Sequence, residues 1–130
     1  MWRPAETNTH QDHVIAHVIG ASVLGHFVWD ETAYLSLDIG FVWNIYLDGE
    51  MGLVPETLAW SELRAAIDDD FENITRLTPV PNPSPIVSVD FFETGQFETG
   101  ARRLVLNCET GTVELEMSLV SREIKVEYKE

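Results

Sequence analysis

Hydrophobic residues recur along most of this chain with a period of two. Leu35, Leu37 and Ile39 alternate with Tyr34, Ser36 and Asp38, and Phe41, Trp43, Ile45 and Leu47 alternate with Val42, Asn44, Tyr46 and Asp48. Successive side chains of a strand point to opposite faces, so both runs read as half-buried strands. Ahead of them Val23 to Trp29 is apolar and partly β-branched, and Asp30-Glu31-Thr32 supplies a polar turn. Gly40 reads as a tight turn or a bulge. Asp48-Gly49 is a hairpin signal, because glycine tolerates the positive φ of a primed turn, and Glu50 to Val54 is the strand that returns from it.

The last third alternates in the same way. Val87, Val89 and Phe91 oppose Ser88 and Asp90, and Leu104, Leu106 and Cys108 oppose Arg103, Val105 and Asn107. Val113, Leu115, Met117 and Leu119 oppose Thr112, Glu114, Glu116 and Ser118; Ile124, Val126 and Tyr128 oppose Glu123, Lys125, Glu127 and Lys129. Half-polar strands of this kind belong to an antiparallel sheet with one wet face. Glu-Thr-Gly at 93–95, 98–100 and 109–111 reads as turn chemistry.

Between the two β-rich halves the period changes. Leu63, Ala66, Ile67, Phe71 and Ile74 recur at helical spacing, with Ser61 or Thr57 available as N-cap, which predicts a helix over 61–74. Prolines at 79, 81, 83 and 85 then hold 78–85 extended, a stiff connector that cannot join a central sheet. The expected fold is a single α+β domain over 10–130, preceded by a flexible tail, 1–9. Its mostly antiparallel sheet, curved or barrel-like, would have about seven or eight strands, with one main helix on it. Leu35-Ser36-Leu37-Asp38 followed by Gly40 echoes Leu104-Val105-Leu106-Asn107 followed by Gly111, which two related β-meanders would explain.

Charge narrows the partner class. The net charge is −14, and sixty consecutive residues between Arg3 and Arg64 contain no Lys or Arg. They hold nine acids: Glu6, Asp12, Asp30, Glu31, Asp38, Asp48, Glu50, Glu56 and Glu62. Residues 1–100 carry sixteen acids and three bases, −13, while 101–130 carry six acids and five bases, −1. Such a field repels nucleic acid and anionic lipid and favours a basic protein surface. The apolar run from Val14 to Trp29 is too short to span a membrane comfortably and contains His17 and His26. A single cysteine, Cys108, excludes an internal disulfide; no basic region precedes the apolar run, so no secretory signal is expected and the expected compartment is the cytoplasm.

Candidate chemistry is sparse. His10, His13 and His17 would share a helical face, with Thr9 and Asp12 as a capping box and Gly20 as terminator, but the β-branched residues among 10–20 favour a strand on which only His13 and His17 share a face. His13 and His17 are therefore the candidate metal ligands. Tyr34 and Tyr46 fall on the wetter face of adjacent strands, where with Asp38, Asn44 and Asp48 they would form a polar-aromatic binding surface. Asp68, Asp69 and Glu72 supply an acidic helix face. Cys108 falls on an inward face, where a thiol is ordinarily inert packing. No glycine-rich phosphate loop, nucleophile elbow or calcium loop appears, so no cofactor is expected. The reading that follows is a non-enzymatic binding protein, in the manner of inhibitors or immunity proteins that cover a basic surface. A small-ligand cup in the curved sheet and a histidine-dependent metal protein are the alternatives, and edge-strand pairing would permit a homodimer.

Overall fold

The computed structural model describes residues 2–29, 31–39, 41–46, 51–55, 65, 73, 76–95 and 100–130. Its first helix, α1 (Thr9–Val18), settles the competition over the histidine segment in favour of helix. The Asn8 side chain accepts a hydrogen bond from Gln11 N at 2.8 Å, and the Gln11 side chain accepts one from Asn8 N at 3.0 Å. This capping box lies one residue earlier than Thr9 and Asp12 would place it, and such a cap is worth about 1 kcal/mol. Val14 and Val18, four residues apart, are buried, whereas His10, His13 and His17 are exposed. The tertiary contact of that apolar pair outweighs the weak β-preference of the same residues. Gly20, at φ 91°, follows the helix and turns the chain into the first sheet.

The strands form two open five-stranded sheets, rather than one curved or barrel-like sheet. Their elements are β1 (Arg3–Pro4), β2 (Val23–Trp29), β3 (Thr32–Leu37), β4 (Phe41–Tyr46), β5 (Met51–Pro55), β6 (Thr78–Pro79), β7 (Ile86–Thr94), β8 (Ala101–Cys108), β9 (Thr112–Ser118) and β10 (Ile124–Lys129). The order is β5-β4-β3-β2-β6 in one sheet and β1-β7-β8-β9-β10 in the other, antiparallel throughout. Residues 47–50, with the expected Asp48-Gly49 turn, lie outside the described residues, but the flanking strands pair as a hairpin requires, Ile45 opposite Met51. The expected helix over 61–74 also lies outside them, except for Ala65 and Asn73, each helical.

Each sheet is a four-stranded meander with a two-residue strap on the edge of its first strand, and the straps are exchanged. β1, at the start of the chain, pairs with β7, and β6, from the proline connector, pairs with β2. Each strap ends in a proline, and the next residue donates to the sheet instead: Ala5 N to Phe91 O at 2.8 Å and Val80 N to Leu24 O at 3.0 Å. The meanders also share a bulge, between Val23 and Gly25 in β2 and between Ile86 and Ser88 in β7. Leu35 of one corresponds by pairing to Leu106 of the other, so the echo read in the sequence is offset by two residues. The residues just before the first strands, Ser22 and Pro85, form an antiparallel bridge to each other. A contact between equivalent positions is what a local two-fold relation produces.

The inward faces pack into one core. Ala33, Leu35, Leu37, Trp43 and Ile45 from one sheet meet Leu104, Leu106, Val113, Leu115 and Met117 from the other, with Val14 and Val18 of α1 joining them. Truncating Leu35 or Leu106, both fully buried, is expected to cost about 2–5 kcal/mol. Because the core is shared, Leu35→Ala and Leu106→Ala should each shift a single cooperative urea transition. Two separate transitions, each responding to one substitution, would show that the sheets fold independently.

Candidate ligand cleft

The proline connector and the far ends of β8, β9 and β10 enclose a cleft of about 250 Å³. Its lining includes the apolar Val23, Val80, Pro81, Pro83 and Val113 and the more polar Ser84, Cys108, Thr110 and Tyr128. Prolines at 81 and 83 keep this wall extended without backbone donors of their own. Side chains therefore fasten it. Ser84 Oγ accepts from Thr110 N at 3.0 Å and pairs with Thr110 Oγ1 at 2.9 Å, while Asn82 Nδ2 donates to Glu130 Oε1 at 2.6 Å. Glu109 N donates to Pro85 O at 3.1 Å. Gly111 closes the floor: a Cβ there would run into the Lys129 carbonyl oxygen, so only glycine lets the β8–β9 turn lie against the end of β10.

Tyr128 joins the two sheets beside this cleft. Its hydroxyl donates to Thr78 O at 3.2 Å and meets His26 Nδ1, whose ring packs edge-on against it with centroids 5.3 Å apart. Tyr128 comes from β10, His26 from β2 and Thr78 from the strap β6, so three separately wound segments meet at one phenol. Burial raises the Tyr128 hydroxyl to about 12 and lowers His26 below its ordinary value. Burial also raises the Cys108 thiol, away from thiolate. All three shifts favour the uncharged form at neutral pH. The charged groups at the rim are engaged elsewhere: Lys129 Nζ lies 2.5 Å from Glu114 and 3.7 Å from Glu127.

The residues singled out from the sequence do not assemble at one place. Tyr34 is buried, directly opposite Phe27 on β2 and stacked on it at 4.6 Å, so the face expected to be wet is covered there. Asn44 sits opposite Tyr34, and its Oδ1 is buried with no hydrogen-bond partner among the described residues. Asp38 serves the backbone, its Oδ1 accepting from Ser22 N at 2.8 Å. The Tyr46 side chain, Asp48, Asp68, Asp69 and Glu72 lie outside the description. His13 and His17 are exposed on α1, and among the described residues no three His, Cys, Asp or Glu side chains converge as a metal site would require. Arg103 pairs across its hairpin with Glu116 at 2.8 Å. Cys108 packs against the core on its inward face and is partly exposed at the cleft.

A second groove, about 340 Å³, runs between the N-terminal segment, α1 and β7. Its carboxylates are already bonded, Asp12 to the Thr7 hydroxyl and Asp90 to Asn107 Nδ2. No helix among the described residues is long and apolar enough to cross a membrane. Comparison with protein-family models, with curated proteins and with solved structures finds no match.

The depressed His26 value has a consequence for stability. Between its folded value and the ordinary value of about 6.5 the unfolded chain binds more protons at this site than the native one, so stability rises with pH in that window. Its contribution should be complete above about pH 6.5 and lost progressively as pH falls toward the folded value. Urea midpoints measured from neutral to mildly acid pH should show this slope in the wild type and a weaker one in His26→Gln. An unchanged slope in the variant would rule out His26 as its source.

Proposed function

We propose that the protein is a non-enzymatic binding protein that holds a small, uncharged, mainly apolar molecule in the cleft under the proline connector. The observation that carries this reading is the cleft's composition: valines and prolines lie together with the hydroxyl side chains of Ser84, Thr110 and Tyr128, which stay neutral at physiological pH. A few convergent polar groups in an apolar concavity are the usual form of a small-molecule site. The volume, about 250 Å³, lies below the range of roughly 300–1,000 Å³ typical of drug-sized ligands, which fits an occupant near the size of one substituted ring. Neutrality of the occupant follows from the rim, where Lys129 and Glu130 already have partners. A buried charge without a counter-ion would be costly there.

The test is a ligand-observed NMR screen of neutral single-ring compounds. Hits should raise the melting temperature and slow alkylation of Cys108 by iodoacetamide, and Val80→Phe, which lengthens a lining side chain, should abolish binding. If no compound binds, or if binding leaves Cys108 alkylation unchanged, the cleft is not the site.

A second reading, a cationic protein partner, is favoured by how the charges pair. Arg103 and Lys129 are taken by Glu116, Glu114 and Glu127 of their own sheet. Among the described residues, Arg122–Glu31 is the one ion pair through which the last thirty residues neutralise the first hundred. A net charge of −13 on residues 1–100 would accelerate encounter with a basic surface. A low-salt pull-down with a graded salt wash tests it: basic proteins released stepwise support it, and none retained at low salt rejects it.

A further inference from the structure

β10 ends its sheet, and among the described residues no strand lies on its outer side. Its register shows which backbone groups face outward. Ser118 N donates to Glu123 O at 3.1 Å, and the ladder continues with Glu116 opposite Lys125, Glu114 opposite Glu127 and Thr112 opposite Lys129. In an antiparallel ladder the N–H and C=O of one residue point to the same side and those of its neighbours to the other. Lys125, Glu127 and Lys129, with the C=O of Glu123, thus spend their backbone groups on β9, and Ile124, Val126 and Tyr128 present theirs outward.

We infer that this edge pairs antiparallel with β10 of a second copy of the chain, about a two-fold axis at Val126. In that register Val126 faces Val126 of the partner subunit and Ile124 faces Tyr128 of the partner subunit, so the outward N–H and C=O groups of all three residues find partners. The exposed side chains match as well. Lys125 falls opposite Glu127 of the partner subunit and Glu123 opposite Lys129 of the partner subunit, each pair occurring twice by symmetry. Shifting the axis to Lys125 places Lys125 against itself and Glu123 against Glu127. Shifting it to Glu127 places Glu127 against itself and Lys125 against Lys129. Like charges directly opposite disfavour both one-residue shifts, and an axis at Ile124 or Tyr128 keeps only one kind of attractive pair, Glu123–Lys125 or Glu127–Lys129, so the axis at Val126 makes the most complementary contacts.

The monomer leaves a defect that this pairing corrects. Glu114 and Glu127 stand directly opposite each other in the ladder, with Lys129 shared between them. A second copy brings Lys125 of the partner subunit to the other side of Glu127. On the same face the row Arg103–Glu116–Lys125 alternates in sign, and Glu127 of the partner subunit continues the alternation. The edge also lies in the part of the chain where charge is balanced, residues 101–130 at −1, so it escapes most of the repulsion two copies would otherwise feel.

The experiment is sedimentation velocity over roughly a hundredfold dilution series at moderate salt, on the full chain and three variants. Wild type should shift from monomer to dimer with concentration. Lys125→Glu should weaken the dimer by roughly tenfold, because two attractive pairs become repulsive, and the exchange K125E/E127K should restore it. Val126→Pro should stay monomeric yet folded, since proline is tolerated on an edge strand whose N–H faces away from the sheet. A wild type that is monomeric throughout, or a V126P protein that dimerises like wild type, overturns the inference. Failure of the double exchange to recover what Lys125→Glu loses overturns the register, and with it the inference as stated.

Discussion

The structure depends on one crossing point, where the ends of two meanders are tied by backbone hydrogen bonds. Gly20 N donates to Ile86 O and Ile86 N donates to Ala21 O, both at 2.8 Å, next to the Ser22–Pro85 bridge. The ends of β3 and β8 are caught at the same place, Asp38 N on Ser22 O at 3.1 Å and Glu109 N on Pro85 O at 3.1 Å. Gly20 makes this possible locally, because its φ of 91° lets the chain leave α1 and enter the crossing directly. Buried backbone groups must be paired, and here each meander supplies what the other lacks. The exchanged straps repeat the arrangement one step further out, so neither sheet has its first strand's edge protected by its own half of the chain.

The two sheets solve the problem of their outer faces differently. In the second, β8, β9 and β10 keep the alternation read from the sequence, buried residues inward and a ladder of Arg103, Glu114, Glu116, Lys125, Glu127 and Lys129 outward. In the first, β3 is buried on both faces: Ala33, Leu35 and Leu37 lie in the shared core, while Thr32 and Tyr34 on the opposite face are buried too. Phe27 and Val42 join that second buried face. Balanced charge belongs to the sheet whose strands β8–β10 keep a wet side, whereas β3 of the other sheet is buried on both faces. That division, more than solubility, explains why the last thirty residues hold five of the eight cations.

Strand positions were legible because a period of two is a local property. β2 has the residues its apolar run predicts, and β4, β9 and β10 fall within a residue or two of their alternating segments. The hairpin pairing followed from short turns. Two sheets in place of one could not be read, because partition depends on the Ser22–Pro85 crossing, a contact between residues 63 apart in sequence with no local signature. Helix α1 was ambiguous for a related reason: Val14, Ile15, Val18 and Ile19 suit either state until the burial of Val14 and Val18 decides. The proposed wet face with Tyr34 and Asn44 failed because alternation marks two faces without saying whether the second is covered. At the cleft, the proline alternation announced a stiff wall, but the residues beside it, Tyr128, His26 and Thr110, carry no motif and converge only through tertiary structure. A glycine after Glu109-Thr110 was the one available signal, and it was read as turn chemistry alone.

The cleft is a by-product of the same crossing. Once Pro85 is fixed against Ser22, the connector must run back along the ends of β8–β10 to reach Thr78 on the edge of β2, and prolines at 81 and 83 prevent it from collapsing onto them. What remains beneath is a gap that side-chain hydrogen bonds span at Ser84–Thr110 and Asn82–Glu130 without filling. Tyr128 belongs to both the cleft wall and β10, whose other edge meets no strand among the described residues. Its hydroxyl is fixed by Thr78 and His26, so the strand end is anchored to the opposite sheet before anything docks on the edge or enters the gap. Anchoring of this kind lowers the ordering cost of any later association, because the strand is already held in the conformation that pairing or binding requires.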